Sequence, residues 1–174
     1  MAITATYVKE GYRPPADPFL SKEVYQEVLT RWPKPCVDAV LYFQYEGKTY
    51  MVLGKRKIQP QQDWWIFGGR VFVTDESLPA AMARKLHEEV GLDVGVGSIP
   101  NEPFRIHMYK WPEDGSVSIA CTFLVEIARV DYLQMVANVA KSPEYSEYDA
   151  LDPSWVTKQE GYHQAVRDCA EILL

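Results

Sequence analysis

Cysteine is scarce in this chain. Only three cysteines occur among 174 residues, and they lie far apart at Cys36, Cys121 and Cys169. An odd number at these spacings predicts neither a disulfide framework nor a zinc site. Free thiols are typical of a reducing compartment, so we expect a cytoplasmic protein.

Long apolar runs are missing as well. No stretch approaches the roughly 20 apolar residues that a helix needs to span a bilayer. The first six residues, Met1 to Thr6, combine neither a basic start nor an apolar segment, which argues against a signal peptide. A membrane partner is therefore not expected.

Basic residues are outnumbered by acidic ones. Lys and Arg total 18 against 24 Asp and Glu, which gives a formal net charge of −6. No basic stripe is present to neutralise a phosphate backbone, so nucleic acid is not an expected partner. A small anionic molecule can still bind, with the help of a metal ion or a local group of arginines.

Repeats, low-complexity tracts and linkers are also absent. A chain of 174 residues with 47% hydrophobic content predicts one compact domain with a real core. Residues 1–19 hold three prolines and predict an extended arm, and residues 20–174 form the predicted domain. Such an arm has little core of its own, which favours a homodimer built through it.

Helical and strand patterns alternate along the predicted domain. Ser21 is a candidate N-cap for a first helix, and Ser77 begins a second whose apolar residues recur every four positions until Gly91. A third amphipathic helix is predicted between 162 and 173. Strands are predicted at 37–45, 49–53, 64–67, 94–96, 104–109 and 117–127, with turns at 46–47 and 114–115. The acidic stretch 144–149 is interpreted as a loop. Local hairpins with few helices predict an α/β or α+β fold around a mixed sheet.

The most informative segment follows the aromatic strand at 64–67. Gly68-Gly69 can turn a backbone carbonyl toward a site without obstruction by a Cβ. The helix that follows carries Glu88 and Glu89 about 100° apart, where both can flank one ligand. A carbonyl with carboxylates is a hard oxygen set suited to Mg²⁺ or Mn²⁺. The alternative for these charges is a solvated helix face in which Arg84 and Glu88, and Lys85 and Glu89, form ordinary pairs.

This segment resembles the Nudix box, which reads G-x5-E-x7-R-E-U-x-E-E-x-G-U with U an aliphatic residue. The matching positions are Gly69, Glu76, Arg84, Leu86, Glu88, Glu89, Gly91 and Leu92. Six residues rather than five separate Gly69 from Glu76, and Lys85 replaces the glutamate after the arginine. The resemblance implies a Nudix α/β/α sandwich around a mixed β-sheet and a metal-dependent hydrolase.

Within that superfamily the chain is most similar to the GDP-mannose mannosyl hydrolase branch. The similarity lies in Leu53-Gly54-Lys55-Arg56 and in Gly68-Gly69-Arg70-Val71. It implies a nucleotide-sugar substrate and attack at the sugar carbon. The branch places a metal ligand before a histidine base in a late acidic loop, and Glu144 and Tyr145 correspond to those positions. Tyrosine is a poor base because its pKa lies near 10.

The resemblance also implies roles for individual residues. The predicted metal ligands are the Gly68 carbonyl, Glu88, Glu89 and Glu144, and the predicted catalytic residues are Glu88, Glu89 and His107. The predicted substrate-binding residues are Asp38, Arg56 and Arg70. Two arginines can clamp a diphosphate, or they are ordinary surface residues. Asp38 has either a buried partner or a substrate hydroxyl, and His107 is either a base or a structural histidine.

Lys85 separates two hypotheses of function. An ammonium in place of a carboxylate repels a metal ion if it points into the site, and it competes for Glu89 if it pairs there. The first hypothesis is a metal-dependent hydrolase of a nucleoside diphosphate linked to another moiety. The second is a binding or regulatory module of the same fold that recognises a nucleotide without turnover. Either function has a small-molecule nucleotide as its partner.

Overall fold

The computed structural model of the chain describes residues 21–58, 62–111 and 115–174. Five helices occur in this part of the chain: α1 (Lys22–Arg31), α2 (Leu78–Val90), α3 (Arg129–Asn138), α4 (Pro153–Val156) and α5 (Gln164–Glu171). Seven strands occur there as well: β1 (Lys34–Tyr45), β2 (Lys48–Arg56), β3 (Trp64–Trp65), β4 (Phe67–Arg70), β5 (Arg105–Lys110), β6 (Val117–Glu126) and β7 (Tyr145–Leu151).

All seven strands belong to one mixed sheet. Its main path runs β3-β2-β1-β6-β5, while β4 pairs with β1 and β7 pairs with β2. The pairing of β1 with β6 is parallel, whereas β1 is antiparallel to both β2 and β4. The mixed α+β class predicted from the sequence is therefore confirmed.

The core lies on both faces of the sheet. Side chains of a strand alternate between faces, and along β1 Val37, Ala39 and Leu41 pack in one cluster while Val40 packs in the other. The first cluster is covered by α2 and α3, and the second by α4 and α5. Because both faces are covered, the centre of β1 is a continuous apolar run, as expected for a buried strand.

The predicted helix boundaries follow from their caps. In α2 the Ser77 hydroxyl accepts a hydrogen bond from the Ala80 amide at 3.2 Å, and Gly91 ends the helix with φ of 68°. That left-handed conformation is one that glycine adopts without strain. Ser21 caps α1 in the same way, through the Val24 amide. The β1–β2 hairpin turns at Glu46-Gly47, as predicted.

Three sequence predictions differ from the structure. The strand predicted at 94–96 is wrong, since a short 3₁₀ turn occupies Val96–Ser98. The stretch interpreted as an acidic loop forms β7, in which Tyr145 and Tyr148 face the core and the acidic side chains lie on the other positions. Helix α3 was missed because only Met135 is buried and its N-cap, Ala128, has no side chain that could cap.

Other predictions concern the chain ends and the membrane. The arm predicted at 1–19 lies outside the residues that the structure describes. Residue 114 of the turn predicted at 114–115 also lies outside them. Among the described ranges, no helix has the length and apolar character to cross a membrane.

Candidate functional site

The glycine pair predicted to form a turn after the aromatic strand lies within β4 instead, paired with β1. A cavity of about 370 Å³ opens beside it, between β1, β4, β5, β6 and the last turns of α2. Its lining includes the cationic residues Lys34, Arg56, Arg70 and Lys85, and the acidic residues Asp38, Glu89 and Glu144. The structure thus brings together all the predicted substrate-binding residues with three of the four predicted metal ligands, Gly68, Glu89 and Glu144. The predicted ligand Glu88 is not part of this lining.

Glu89 is the most buried carboxylate of the cavity, with 2% of its side chain exposed. Its Oε1 contacts the Lys85 ammonium at 2.8 Å. Its Oε2 accepts hydrogen bonds from the Gly68 amide at 3.2 Å and from the Tyr145 hydroxyl at 3.2 Å. Burial raises the pKa of this carboxyl above its ordinary value, although the Lys85 charge opposes that shift. Both oxygens of Glu89 therefore already have protein donors.

Lys85 points into the cavity rather than into solvent. Its side chain is 14% exposed, and the ammonium reaches Glu88 at 3.4 Å in addition to Glu89. Gly69 provides the space, because a Cβ at that position would lie 2.5 Å from the Lys85 Cε. Burial alone would lower the pKa of the ammonium, but the attraction and hydrogen bond of Glu89 raise it above its ordinary value. Lys85 is therefore a fixed positive charge in the site.

Arg56 and Glu144 form the opposite wall. The Arg56 guanidinium contacts the Glu144 carboxylate at 3.0 Å, and both side chains are largely buried. The Glu144 carbonyl accepts the Lys57 amide, which ties the end of β2 to the chain just before β7. The buried Nε of Arg56 has no hydrogen-bond partner among the described residues. A buried donor without a partner in a cavity wall is a site at which an anion oxygen can bind.

Asp38 lies on β1 at the floor of the cavity and is buried. It is the strand neighbour of Gly68, and its Oδ2 accepts the Tyr109 hydroxyl at 3.4 Å. Burial, and after it the nearby Glu89 charge, raise its pKa to about 7, although Tyr109 and Arg56 oppose the shift. Asp38 thus has a buried protein partner, which is the first of the alternatives considered from the sequence, and it also lines the cavity.

Arg84 organises the loop that precedes α2. Its guanidinium makes two contacts of 2.8 Å with Asp75 and also reaches the Arg70 carbonyl and the Glu88 carboxylate. In the sequence, Glu76 matches the first acidic position of the Nudix box, but Glu76 is exposed and Asp75 is the residue that pairs with Arg84. Five residues separate Gly69 from Asp75, so the extra residue lies after the acidic position rather than before it.

The Asp75–Arg84 pair predicts a stability difference between two adjacent substitutions. Asp75 also accepts the Phe72 amide at 2.7 Å, so Asp75→Ala removes three charge-assisted hydrogen bonds. We expect a loss of about 1–3 kcal/mol in the free energy of unfolding. Glu76→Ala is the matched control and should change it by less than about 0.5 kcal/mol. Urea unfolding measures both, and equal losses would contradict the assignment.

The residues present do not fit a divalent cation. The carboxylates of Glu88 and Glu89 converge on the Lys85 ammonium, which occupies the position between them. Glu88 also binds Arg84, and Glu144 is paired with Arg56. In the described ranges, no group of three His, Cys, Asp or Glu side chains is arranged to hold a metal ion. An ammonium lies where the pattern of the box would supply a further carboxylate.

His107 lies on β5, outside the cavity lining. Its Nδ1 is 2.9 Å from the Thr122 hydroxyl, and its buried Nε2 has no partner among the described residues. Burial lowers the pKa of this imidazole, and the nearby Arg105 charge lowers it further. The neighbouring Tyr109 ring does line the cavity. His107 therefore lies two positions before Tyr109 on β5, outside the cavity that most of the other predicted site residues line.

Sequence reasoning missed three lining residues. Lys34 begins β1, and its ammonium contacts the Ser116 hydroxyl at 2.7 Å. Tyr109 and Trp111 alternate with His107 at every second position, which puts them on the same side of the chain as that histidine. The period-two spacing was the available signal for the aromatic pair. No sequence signal singled out Lys34, because its place depends on the parallel pairing of β1 with β6.

Several solved structures are similar to this fold. NrtR from Shewanella oneidensis matches with a TM-score of 0.61 at 19% identity, covering 79% of this chain and 60% of that one. This chain thus spans about three fifths of the length of NrtR, which has also been crystallised with a 27mer DNA. A MutT protein from Methanosarcina mazei Go1 matches with a TM-score of 0.59 at 20% identity, covering 82% and 94%.

A third similar structure is a binary complex of the C. elegans Ap4A hydrolase, with a TM-score of 0.57 at 16% identity, covering 80% of this chain and 97% of that one. At these identities the likeness shows the fold alone. No curated protein matches the chain significantly in sequence.

The fold and the segment that runs from β4 through the following loop into α2 together define a class of protein, the NUDIX-domain family. Residues 33–169 match the family model of the NUDIX domain, and the chain belongs to that family. Enzymes of this family generally use divalent metals such as Mg²⁺ or Mn²⁺, which makes the donor set of this cavity a departure from its family.

Proposed function

We propose that the chain is a hydrolase of a nucleoside diphosphate linked to a further moiety, with a GDP-mannose-like nucleotide sugar as the first substrate to test. The observation that carries the proposal is the convergence of Lys85, Arg56 and Arg70 on one cavity. Guanidinium and ammonium groups in a partly buried cleft stabilise phosphate charge more strongly than they would in water. That charge increases on the diphosphate when it becomes a leaving group.

The size and walls of the cavity support a substrate of this class. A volume of about 370 Å³ falls in the range of small-molecule sites. Trp65, Tyr109 and Trp111 form aromatic walls that suit a base or a sugar ring. In this arrangement Asp38 contacts a sugar hydroxyl, and the arginines hold the diphosphate. His107, two positions from Tyr109 along β5, is proposed as the general base of the reaction.

The proposal predicts that Arg56 matters for turnover. Because its Nε is a buried donor in the cavity wall, we expect Arg56→Gln to lower kcat/KM by about 10- to 100-fold on the best substrate. Arg31→Gln is the matched control, since Arg31 is exposed on α1. Product release is measured for a panel of nucleotide sugars and dinucleotides, with Mg²⁺, with Mn²⁺ and with EDTA.

The same panel decides the reaction and its base. Absence of product from every compound under all three conditions would contradict the hydrolase. His107→Gln should reduce kcat and remove an ionisation from the pH profile if the histidine is the base. An unchanged pH profile in His107→Gln would show that His107 is not the general base, and it would not affect the other assignments.

The contact between Lys85 and Glu89 favours a second function, a nucleotide-binding or regulatory module without turnover. The ion pair occupies the carboxylate that the family uses in metal-dependent chemistry. Isothermal titration that shows nucleotide binding in EDTA, together with no product, supports this function. NrtR has been crystallised with DNA, so the expectation that this chain has no nucleic-acid partner is not confirmed. A mobility-shift assay with duplex DNA tests it.

The homodimer through residues 1–19 and the cytoplasmic location remain predictions from the sequence. Light scattering on the chain with and without residues 1–19 tests the dimer.

A further inference from the structure

We propose that Lys85 is an internal cation, so that this cavity binds the diphosphate group of its ligand without a divalent metal ion. The kind of ligand, a nucleoside diphosphate, is taken from the proposed function. The independence from metal is inferred from the Lys85–Glu89 and Arg56–Glu144 ion pairs. This inference assigns to one side chain the charge that a bound metal ion supplies elsewhere in the family.

Charge balance is the first argument. The two cavity carboxylates with direct ion pairs, Glu89 and Glu144, are matched by Lys85 and Arg56. A carboxylate at position 85 would instead leave three acids facing one arginine, an excess of two negative charges that a divalent cation would neutralise. With lysine at that position, the acids are balanced by the protein itself. Lys34 and Arg70 add further positive charge to the lining, which favours a ligand anion.

The hydrogen bonds of Glu89 are the second argument. Its Oε1 faces Lys85, while its Oε2 accepts both the Gly68 amide and the Tyr145 hydroxyl. A metal ion would have to displace these donors from a carboxylate that is 2% exposed.

The position of the ammonium is the third argument. The stem of Lys85 fills the space above Gly69, so a larger residue there would push it away from Glu89. Its side chain is 14% exposed and still lines the cavity. An ammonium held in this way reaches a phosphate oxygen from the cavity while Glu89 fixes it from behind. A preorganised charge of this kind loses little conformational entropy when the ligand binds.

Arg56 supplies an independent observation that points to an anion. Its buried Nε–H has no hydrogen-bond partner among the described residues, although its Nη2 is held by Glu144 at 3.0 Å. A buried guanidinium donor without a partner is unfavourable until an acceptor arrives. Arg56 and Lys85 line the same cavity, so one diphosphate can accept from both.

The experiment measures metal binding and nucleotide binding separately on the full-length chain. Mn²⁺ binding is followed by electron paramagnetic resonance without nucleotide, and GDP binding by isothermal titration in EDTA and in Mg²⁺. Wild type should bind GDP in EDTA within about threefold of its affinity in Mg²⁺. Lys85→Glu should lose at least about tenfold in GDP affinity in EDTA and gain Mn²⁺ binding that wild type lacks.

Two further variants keep the result interpretable. Lys85→Gln removes the charge without adding a carboxylate, so it should lose GDP affinity in EDTA and gain no Mn²⁺ binding. Lys158→Glu makes the same charge change at an exposed position outside the cavity and should resemble wild type. Circular dichroism confirms that each variant is folded. If Lys85→Glu does not fold, Lys85→Gln and wild type still decide the question.

The outcomes separate this inference from the proposed function. Wild-type GDP binding that disappears in EDTA, or Mn²⁺ binding equal in wild type and Lys85→Glu, overturns the internal cation even if hydrolysis is observed. GDP binding that persists in EDTA without any hydrolysis supports the internal cation and contradicts the hydrolase. No GDP binding in either buffer overturns the inference.

Discussion

Gly68→Ala is expected to lower the free energy of unfolding by more than about 3 kcal/mol. A Cβ at this position would lie 2.1 Å from the Val37 carbonyl oxygen and 2.6 Å from an Asp38 carboxylate oxygen. The residue also has φ of 156°, which side-chain-bearing residues rarely adopt. The clash is with the backbone of β1, which pairs with three other strands and cannot move alone.

The neighbouring glycine provides the matched control. A Cβ at Gly69 would meet only the flexible end of Lys85, whose Cε lies at 2.5 Å. Gly69→Ala should therefore lose about 1 kcal/mol or less, because the lysine end can move where a strand backbone cannot. Urea unfolding followed by tryptophan fluorescence measures both variants. A midpoint for Gly68→Ala equal to that of Gly69→Ala would refute the argument from backbone contact.

Asp38→Asn is expected to remove a pH-dependent contribution of up to about 4 kcal/mol from the free energy of unfolding. The folded state raises the pKa of Asp38 from 3.8 to about 7, mainly through burial and then through the Glu89 charge. The folded protein therefore binds this proton more tightly than the unfolded chain does. The stabilising contribution is complete below about pH 4 and is lost as the pH rises through 7. An asparagine stays neutral and loses nothing over that range.

The measurement is the difference in unfolding free energy between Asp38→Asn and wild type at pH 4 and at pH 8. The variant should gain roughly 2–4 kcal/mol relative to wild type on going from the lower to the higher pH. The charged groups around Asp38 are Glu89 and Arg56, and Tyr109 donates to it. Glu76→Gln neutralises an exposed carboxylate and serves as the control. A constant difference across the range would show that Asp38 titrates normally.

Local signals in the sequence were sufficient for much of the fold. The helix from Ser77 to Gly91 follows from an N-cap, a four-residue apolar repeat and a glycine that accepts a left-handed conformation. The first hairpin follows from two strand patterns around Glu46-Gly47. Each of these signals is complete within a few residues, so no knowledge of the rest of the chain is needed.

Elements without such local signals were not predicted from the sequence. Strand β7 looks like an acidic loop because Glu147 and Asp149 flank the buried Tyr148 and because Glu144 precedes the strand. It becomes a strand only because β2 offers it an edge to pair with. Helix α3 buries a single residue and has no side-chain cap at its N-terminus, so neither periodicity nor capping marks it.

The candidate site shows the same division. The acidic pair Glu88-Glu89 and the substitution at Lys85 were visible in the sequence, and they define both the family pattern and its departure. Only the tertiary structure decided that Glu89 is buried in the cavity against Lys85, while Glu88 stays exposed and contacts both Arg84 and Lys85. Adjacent residues on a helix point about 100° apart, so which of them enters a site depends on what the helix packs against.

The sequence by itself therefore determined the family, the domain's main elements and the presence of an ammonium in an acidic motif. The tertiary structure decided what the ammonium does, because Gly69 gives it room and Tyr145 arrives from a strand 56 residues away along the chain to complete the contacts of Glu89. Interactions between residues so far apart in sequence depend on strand register and packing, which no short segment encodes.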